Sequence, residues 1–157
     1  MSTAFVFPGQ GSQSVGMMAA LAAQYPVVRA TFDEASAVFG DDLWALASQG
    51  PAERLALTEI TQPVMLVAGV ATYRAWRAAG GAVPAVVAGH SLGEFSALVA
   101  AGVIDFPAAV SLVRFRGEAM RDAVPVGEGG MAAIIGLEDA DVEAACAEAA
   151  QGEVAEA

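Results

Sequence analysis

Residues 84–101 are PAVVAGHSLGEFSALVAA, and this stretch decides the fold class predicted for the whole chain. Pro84 to Gly89 is a short apolar run that predicts a buried strand, and Leu92 to Ala101 predicts a helix closed by Gly102. Ser91 lies between them, with a glycine two residues before it and another two residues after it. This order of strand, Gly-x-Ser-x-Gly turn and helix is the context of a nucleophile elbow, in which a sharp turn presents the serine hydroxyl.

Ser91 also has a second interpretation. Ser91-Leu92-Gly93-Glu94 matches a capping box, in which the serine hydroxyl caps the helix and Glu94 reaches back to the helix N-terminus. In the nucleophile interpretation, the serine occupies a strained turn, and the backbone N–H of Leu92 can receive an oxyanion at the helix N-terminus. On these residues alone both interpretations stay open.

Strand and helix patterns alternate along the chain, which predicts an α/β fold with a largely parallel sheet. Apolar runs predict strands over 4–7, 84–89 and 131–135. Helical patterns cover 17–24, 26–39, 63–79, 92–101, 105–122 and 139–150, with short irregular helices over 43–57 that break at Pro51. Three strands are few for a parallel sheet, whose faces and neighbours must be covered, so we expect the sequence to stop before its architecture is complete.

Composition excludes several classes of protein. The 157-residue chain is 56% hydrophobic with a formal charge of −11, and all seven basic residues are arginines, so neither disorder nor a basic nucleic-acid footprint is expected. Nine of the 18 acidic residues lie in residues 122–157, which contain no base. No basic segment precedes an apolar stretch at the N-terminus, and the apolar runs are shorter than the ~20 residues of a membrane span. We therefore expect a cytoplasmic protein without a membrane partner.

Spacing distinguishes two arginines on the predicted helix over 105–122. Arg114 has Glu118 four residues ahead, as in an ordinary surface ion pair. Arg116 shares its face with apolar residues, namely Leu112, Val113 and Met120. A guanidinium that points toward a core needs a partner, because an unpaired buried charge is costly. That partner is either an internal group or an anionic group of a substrate held in a bidentate clamp.

Three separated motifs follow one another along the chain: FPGQGSQ at 7–13, GHSLGE at 89–94 and RFRGEAM at 114–120. Together they resemble the malonyl-CoA:acyl carrier protein transacylases of fatty-acid synthesis, and they are similar to the acyltransferase domains of polyketide synthases. Shorter segments add to the resemblance with the stand-alone bacterial enzymes, namely QGPAE at 49–53, TQP at 61–63 and AGVIDF at 101–106. The resemblance covers essentially the whole sequence.

The resemblance implies a ping-pong acyl transfer. Ser91 attacks the thioester of malonyl-CoA, and the phosphopantetheine thiol of acyl carrier protein then takes the malonyl group from the serine ester. The residues that match the family's oxyanion hole are Gln10 and Leu92, through their backbone amides. Arg116 matches the arginine that pairs with the free carboxylate of malonate. Gln62 falls at a pocket glutamine of the family, although a glutamine near a helix N-terminus is commonly a surface residue.

The resemblance implies no permanently bound cofactor, and we expect no metal site. His90, the only histidine, adjoins the nucleophile in a sharp turn, so we expect its side chain to diverge and to pack or hydrogen-bond near the pocket mouth. The family's general base is a histidine far downstream of the serine, and nothing in this chain matches it. Because a serine hydroxyl is a poor nucleophile without a base, we expect little or no transacylase activity from these 157 residues.

The same resemblance predicts the domain organisation. Residues 1–124 match the N-terminal part of an α/β-hydrolase-like core. Residues 131–157 match the start of a small ferredoxin-like subdomain inserted in that core, which agrees with the Gly-rich join over 125–130 and the change of charge that follows it.

Other functions stay open on the sequence. A serine esterase or lipase shares the elbow but gives no reason for Arg116, and a polyketide synthase acyltransferase domain is a nearer rival. The start at Met1, with no ketosynthase-like sequence before it, favours a free-standing enzyme. A non-catalytic fragment that binds CoA thioesters or carrier protein is a third possibility. Because acyl carrier proteins are acidic as a family, docking needs a basic patch, for which the candidates are Arg74, Arg77, Arg114 and Arg121.

Overall fold

The computed structural model describes residues 2–125, 127–130, 132 and 134–157, and its contacts form two compact units, Met1–Val124 and Pro125–Ala157. The elements of the first unit are, in chain order, β1 (Ala4–Phe7), α1 (Ala19–Gln24), α2 (Pro26–Phe39), α3 (Leu43–Gln49), α4 (Ala52–Leu55), α5 (Thr58–Ala78), β2 (Val86–Gly89), α6 (Leu92–Ala100) and α7 (Phe106–Asp122). The second unit contains α8 (Asp139–Ala150). The fold class is α/β, as predicted.

The strands β1 and β2 pair in parallel, in a register that places Phe5 opposite Val87 and Phe7 opposite Gly89. Parallel strands need a crossover connection, which α1 to α5 supply here. Both strands therefore end at the same edge of the sheet. The loop that begins with Pro8 and the turn at His90 leave the sheet side by side.

Helices cover one face of this pair of strands. Phe5 packs against the aromatic side chains of α5, and Phe7 is buried. Because side chains alternate across a strand, Val6 and Val86 point to the opposite face, where they are 76% and 62% exposed. The expectation that both strands are buried is therefore wrong for this face, since among the described residues the helices pack only on the other one.

The central helix α5 begins at Thr58, five residues before the predicted start at Pro63. The backbone N–H of Thr61 donates to the carbonyl of Leu57 at 2.7 Å, so the first turn closes before the proline is reached. A proline is favoured at a first helical position, which is why the pattern placed the start there, but burial of the preceding turn overrides that preference. The correction adds one helical turn beside the site described below.

The core of the first unit surrounds α5, which packs against α2, α6 and α7. Its fully buried side chains include Val28 and Phe32 from α2, Leu66 and Val70 from α5, Leu92 from α6, and Val110 and Val113 from α7. The predicted bounds of α2 are confirmed, and Pro51 separates α3 from α4 as expected. The apolar face assigned to Arg116 needs one correction, because Leu112 is 43% exposed while Val113 is buried.

In the second unit, α8 has the predicted bounds, and none of its side chains is buried. The strand predicted over 131–135 includes Met131 and Ala133, which lie outside the described residues. Its described members Ala132, Ile134 and Ile135 have no regular secondary structure.

Every helix in the described parts of the chain is too short or too polar to cross a lipid bilayer.

Gly117 marks the point where α7 meets α5 backbone to backbone. A Cβ atom at this position would lie 2.7 Å from the Cα of Glu59, closer than real contacts allow. We expect Gly117→Ala to lower the free energy of unfolding by about 1–3 kcal/mol through overpacking. Helix propensity alone predicts the opposite sign, a gain of about 1 kcal/mol.

Denaturant unfolding measures this change. Ser111→Ala, on the exposed part of the same helix, is the matched control and should shift stability by no more than about 0.5 kcal/mol. A Gly117→Ala protein that is more stable than wild type would contradict the close approach of the two helices.

Candidate active site

The turn between β2 and α6 holds Ser91 in a conformation that few residues adopt. Its φ of 52° and ψ of −113° lie outside the regions favoured by non-glycine residues, at a cost of order 1–3 kcal/mol. Two glycines make this turn possible by allowing very close packing. A Cβ at Gly89 would lie 2.1 Å from the carbonyl carbon of Gly93, and a Cβ at Gly93 would lie 2.2 Å from the carbonyl oxygen of Phe7. The sequence and the structure thus agree on a strained strand-to-helix elbow with Ser91 exposed at its tip.

The Ser91 hydroxyl does not cap α6, which overturns the capping-box interpretation. Its side chain makes no hydrogen bond to the helix N-terminus, and only its backbone carbonyl accepts from the N–H of Glu94, at 3.2 Å. Because Leu92 is the first residue of α6, its N–H has no acceptor within the helix. Its side chain is buried. The elbow therefore combines an outward hydroxyl with a backbone donor beside it.

The guanidinium of Arg116 meets this hydroxyl. Its Nη2 donates to Ser91 Oγ at 2.8 Å, its Nη1 donates to Gln62 Oε1 at 2.6 Å, and its Cζ lies 5.9 Å from the ring centroid of Phe95. Arg116 is half-buried, and both of these polar partners are neutral. No carboxylate of the described residues lies within salt-bridge distance of it. A half-buried cation without a counter-ion is suited to bind an anion.

Gln62 is fully buried, so the interpretation of this residue as a surface glutamine is wrong. Its Oε1 accepts from Arg116, and its Nε2 donates to Thr58 Oγ1 at 3.1 Å and contacts Met120 Sδ at 3.2 Å. Sequence reasoning missed Thr58 because it placed the helix start at Pro63. Once α5 begins at Thr58, its spacing of four residues from Gln62 puts both side chains on one face.

Gln10 lies in the loop after β1, and the fold brings that loop against the elbow. A Cβ at Gly9 would lie 3.3 Å from the carbonyl oxygen of His90, so a glycine there allows the two turns to approach. The side-chain Oε1 of Gln10 accepts from the Thr58 hydroxyl at 2.8 Å. In the described part of the chain, no backbone acceptor is hydrogen-bonded to the Gln10 N–H. This N–H is therefore available as a donor near the elbow.

His90 is exposed, and its carbonyl oxygen accepts from the N–H of Gly93 at 2.8 Å. Its imidazole shares no hydrogen bond with Ser91 in the residues that the structure covers. Among the described residues, Ser91 thus has a cationic neighbour, Arg116, and no hydrogen-bonded side chain that could act as its general base. As for metals, the described residues hold no group of three His, Cys, Asp or Glu side chains that could bind an ion.

Most of the arginines proposed for carrier docking are already paired with acidic residues. Arg114 pairs with Glu118 at 2.9 Å, as the spacing predicted. Arg121 bonds Asp122 at 2.7 Å and approaches Glu59, and hydrogen bonding to Asp122 and then to Glu59 raises its pKa. Of the remaining two, Arg74 pairs with Glu34, while Arg77 donates to the carbonyl of Gly81. The positive potential of this set is therefore weak.

Comparisons with known proteins identify the family of the chain. The acyl transferase domain family matches residues 4–156. The malonyl CoA-acyl carrier protein transacylase of Escherichia coli K12 is 64% identical over 151 residues, which are 96% of this chain and 49% of that protein. The chain thus spans about half the length of the curated relatives it matches.

Solved structures similar to this chain belong to the same kind of protein. The malonyl CoA-acyl carrier protein transacylase from Coxiella burnetii is 56% identical with a TM-score of 0.93, covering 98% of this chain and 49% of that one. A structure described as a type II polyketide synthase acyl-carrier protein in complex with its malonyl-transacylase is also 56% identical, with a TM-score of 0.91, over 98% of this chain and 50% of that one. Since one family covers nearly all of the described sequence, including its elbow serine and the arginine beside it, the chain belongs to the acyl transferase domain family.

Proposed function

We propose that this chain carries the nucleophile and the carboxylate-binding residue of a malonyl-CoA:acyl carrier protein transacylase of fatty-acid synthesis. The observation that carries the proposal is the 2.8 Å contact between Arg116 Nη2 and Ser91 Oγ. In a malonyl thioester, a single methylene separates the free carboxylate from the carbonyl that the nucleophile attacks. A guanidinium in hydrogen-bond reach of the nucleophile therefore suits this substrate, whereas a neutral acyl group has nothing to pair with it.

The first half-reaction transfers the malonyl group to Ser91. As the serine oxygen attacks the thioester carbonyl, the N–H groups of Gln10 and Leu92 stabilise the oxyanion, and each such donor is typically worth on the order of 10²–10³ in rate. The carbon–sulfur bond breaks, the CoA thiolate leaves and is protonated, and a malonyl-serine ester remains. Arg116 holds the carboxylate in a bidentate pair throughout, and Gln62 fixes the orientation of the guanidinium.

The second half-reaction transfers the group to acyl carrier protein. The phosphopantetheine thiol attacks the ester carbonyl, the ester bond breaks, and Ser91 regains its proton. Both half-reactions need a general base, and the family resemblance supplies it as a histidine downstream of this sequence. His90 is proposed to line the pocket mouth, and no permanent cofactor or metal takes part. Acyl carrier protein does not dock on a patch formed by Arg74, Arg114 and Arg121, because these arginines are paired with acidic residues.

The fold proposed for the whole enzyme follows the resemblance. Residues 1–124 contribute the first strands and helices of an α/β-hydrolase-like core, and residues 131–157 begin a ferredoxin-like subdomain. The exposed face of β1 and β2 supports this proposal, since Val6 and Val86 are apolar and uncovered among the described residues. A soluble enzyme of this kind acts in the cytoplasm.

Two other functions keep some support. The 56% identity to a malonyl-transacylase described with a polyketide carrier protein favours a role in polyketide synthesis as the second candidate. A binding fragment without turnover is the third, because none of the described residues serves Ser91 as a base. A serine esterase explains the elbow but leaves the unpaired Arg116 without a role.

In a chain extended to include the downstream histidine, Arg116→Ala should lower the rate of Ser91 acylation by malonyl-CoA roughly 10- to 150-fold, since hydrogen bonds to charged groups are worth about 1.5–3 kcal/mol. Acylation by acetyl-CoA, which has no carboxylate, should change far less. Mass spectrometry of the acyl-enzyme measures both rates. Arg114→Ala is the matched control, since this arginine is exposed, lies two residues away and pairs with Glu118. Equal losses for the two acyl donors would contradict the carboxylate-binding role.

In a chain extended to include the downstream histidine, incubation with malonyl-CoA should add one malonyl group to Ser91, and Ser91→Ala should abolish the adduct because Ser91 carries the exposed hydroxyl beside Arg116. Peptide mapping by mass spectrometry locates the modification. Ser96→Ala, a buried serine of α6, tests whether a serine elsewhere on the same helix is labelled instead. Binding of malonyl-CoA without any adduct would favour the non-catalytic alternative.

Malonyl transfer to holo acyl carrier protein should be very slow with these 157 residues and rapid with a chain extended to include a downstream histidine. The reason is that Ser91 lacks a base in the described structure. A transfer assay that follows malonylated carrier protein compares the two. Rapid turnover by the short chain would refute the assignment of the base to a later segment.

A further inference from the structure

A chain of side-chain hydrogen bonds joins the two halves of the site. Arg116 Nη1 donates to Gln62 Oε1 at 2.6 Å, and Gln62 Nε2 donates to Thr58 Oγ1 at 3.1 Å. The Thr58 hydroxyl then donates to Gln10 Oε1 at 2.8 Å. The chain runs from the residue proposed to bind the substrate carboxylate to the residue proposed to bind the oxyanion, and Thr58 is its only hydroxyl.

The direction of the first two bonds in this chain is fixed by the guanidinium. A guanidinium has donors only, so Gln62 must turn its oxygen toward Arg116 and its NH₂ group toward Thr58. The Thr58 oxygen must then accept from Gln62, and its hydrogen remains free for the bond that it donates to Gln10 Oε1. A flipped Gln62 amide would set N–H groups against the guanidinium. Gln62 is fully buried, so a flipped amide would leave a buried donor without an acceptor, at a large cost in free energy.

Thr58 lies on a well-packed helix. It is the first residue of α5, the helix at the centre of the core, and its hydroxyl lies on the same face as Gln62. Gln10, in contrast, is exposed and lies in a loop outside any helix or strand. The bond from Thr58 is the only side-chain hydrogen bond that ties the Gln10 side chain to another element among the described residues.

From these contacts we infer that Thr58 is a positioning residue, which orients Gln62 behind Arg116 and holds the Gln10 loop so that its backbone N–H faces the reacting carbonyl. The inference rests on the proposed function, because it assigns Thr58 to the same acyl-transfer site. Thr58 touches neither substrate nor nucleophile. It acts through two partners, one on each side of the site.

The test compares Thr58→Val, which keeps the shape and removes both hydrogen bonds, with Thr58→Ser, which keeps the hydroxyl. The first readout uses the ligand-free protein and NMR relaxation of the Gln10 backbone and side-chain amides. Order parameters near 0.85 mark a rigid group and values below about 0.6 a flexible one. We expect the first value for wild type and Thr58→Ser, and the second for Thr58→Val.

The second readout is the rate of Ser91 acylation by malonyl-CoA and by acetyl-CoA, measured in a chain extended to include the downstream histidine. Thr58→Val should slow acylation by acetyl-CoA about tenfold, because a displaced oxyanion donor affects every acyl group. Acylation by malonyl-CoA should fall by at least as much, because Gln62 also loses its bond behind Arg116, whereas Arg116→Ala affects malonyl transfer selectively. Thr58→Ser should restore both rates. Thr72→Val is the matched control: Thr72 lies on the same helix outside the site, and its hydroxyl bonds the carbonyl of Ala68 at 2.8 Å.

The outcomes separate this inference from the proposed function. A rigid Gln10 in Thr58→Val, or equal losses in Thr58→Ser and Thr58→Val, would overturn the positioning role. If the wild-type chain extended to include the downstream histidine forms no acyl-serine at all, the proposed function fails, while the relaxation of Gln10 in the ligand-free variants still decides whether Thr58 holds the loop.

Discussion

The packing of the first turn of α6 against β1 and β2 is the constraint on which the site depends. Any side chain at Gly89 or Gly93 would overlap backbone atoms at about 2 Å, so the turn between them has no freedom to relax. The tight turn leaves Ser91 with a positive φ and an exposed hydroxyl. Strain in the backbone is thus offset by a core in which Leu92, the next residue, is fully buried.

The second determinant is the helix α5, which supports both sides of the site from the middle of the core. Gln62 and Thr58 project from its first turns, and α7 approaches so closely at Gly117 that Arg116 is carried to the elbow. Because neutral groups hold the guanidinium, its charge stays available to a substrate. A glutamate in place of Gln62 has the same length and could accept the same hydrogen bond, but its charge would neutralise Arg116.

Much of the fold was predictable because local patterns match local structure. Pro26 and Gly40 bound α2, and the alternation of apolar runs and helices identified the α/β class. Prediction failed where packing overrides local preference. Pro63 favours a helix start at that position, although burial of the preceding turn extends the helix to Thr58. The exposure of Val6 and Val86 depends on which elements cover that face of the sheet. The hydrophobic pattern of the strands does not say which elements these are.

The sequence by itself identified the strand, turn and helix around Ser91 and the resemblance to the family, because the glycines that the close backbone contacts demand appear as a short motif. It left open whether Ser91 is an exposed nucleophile or a helix cap, which the structure decided. It also indicated that Arg116 points inward. Only the tertiary structure decided what that guanidinium meets, since Ser91, Gln62 and Arg116 come from three elements separated by 25 residues or more. The same holds for the bond from Thr58 to Gln10, 48 residues apart, because side-chain partners across such distances are set by packing rather than by spacing.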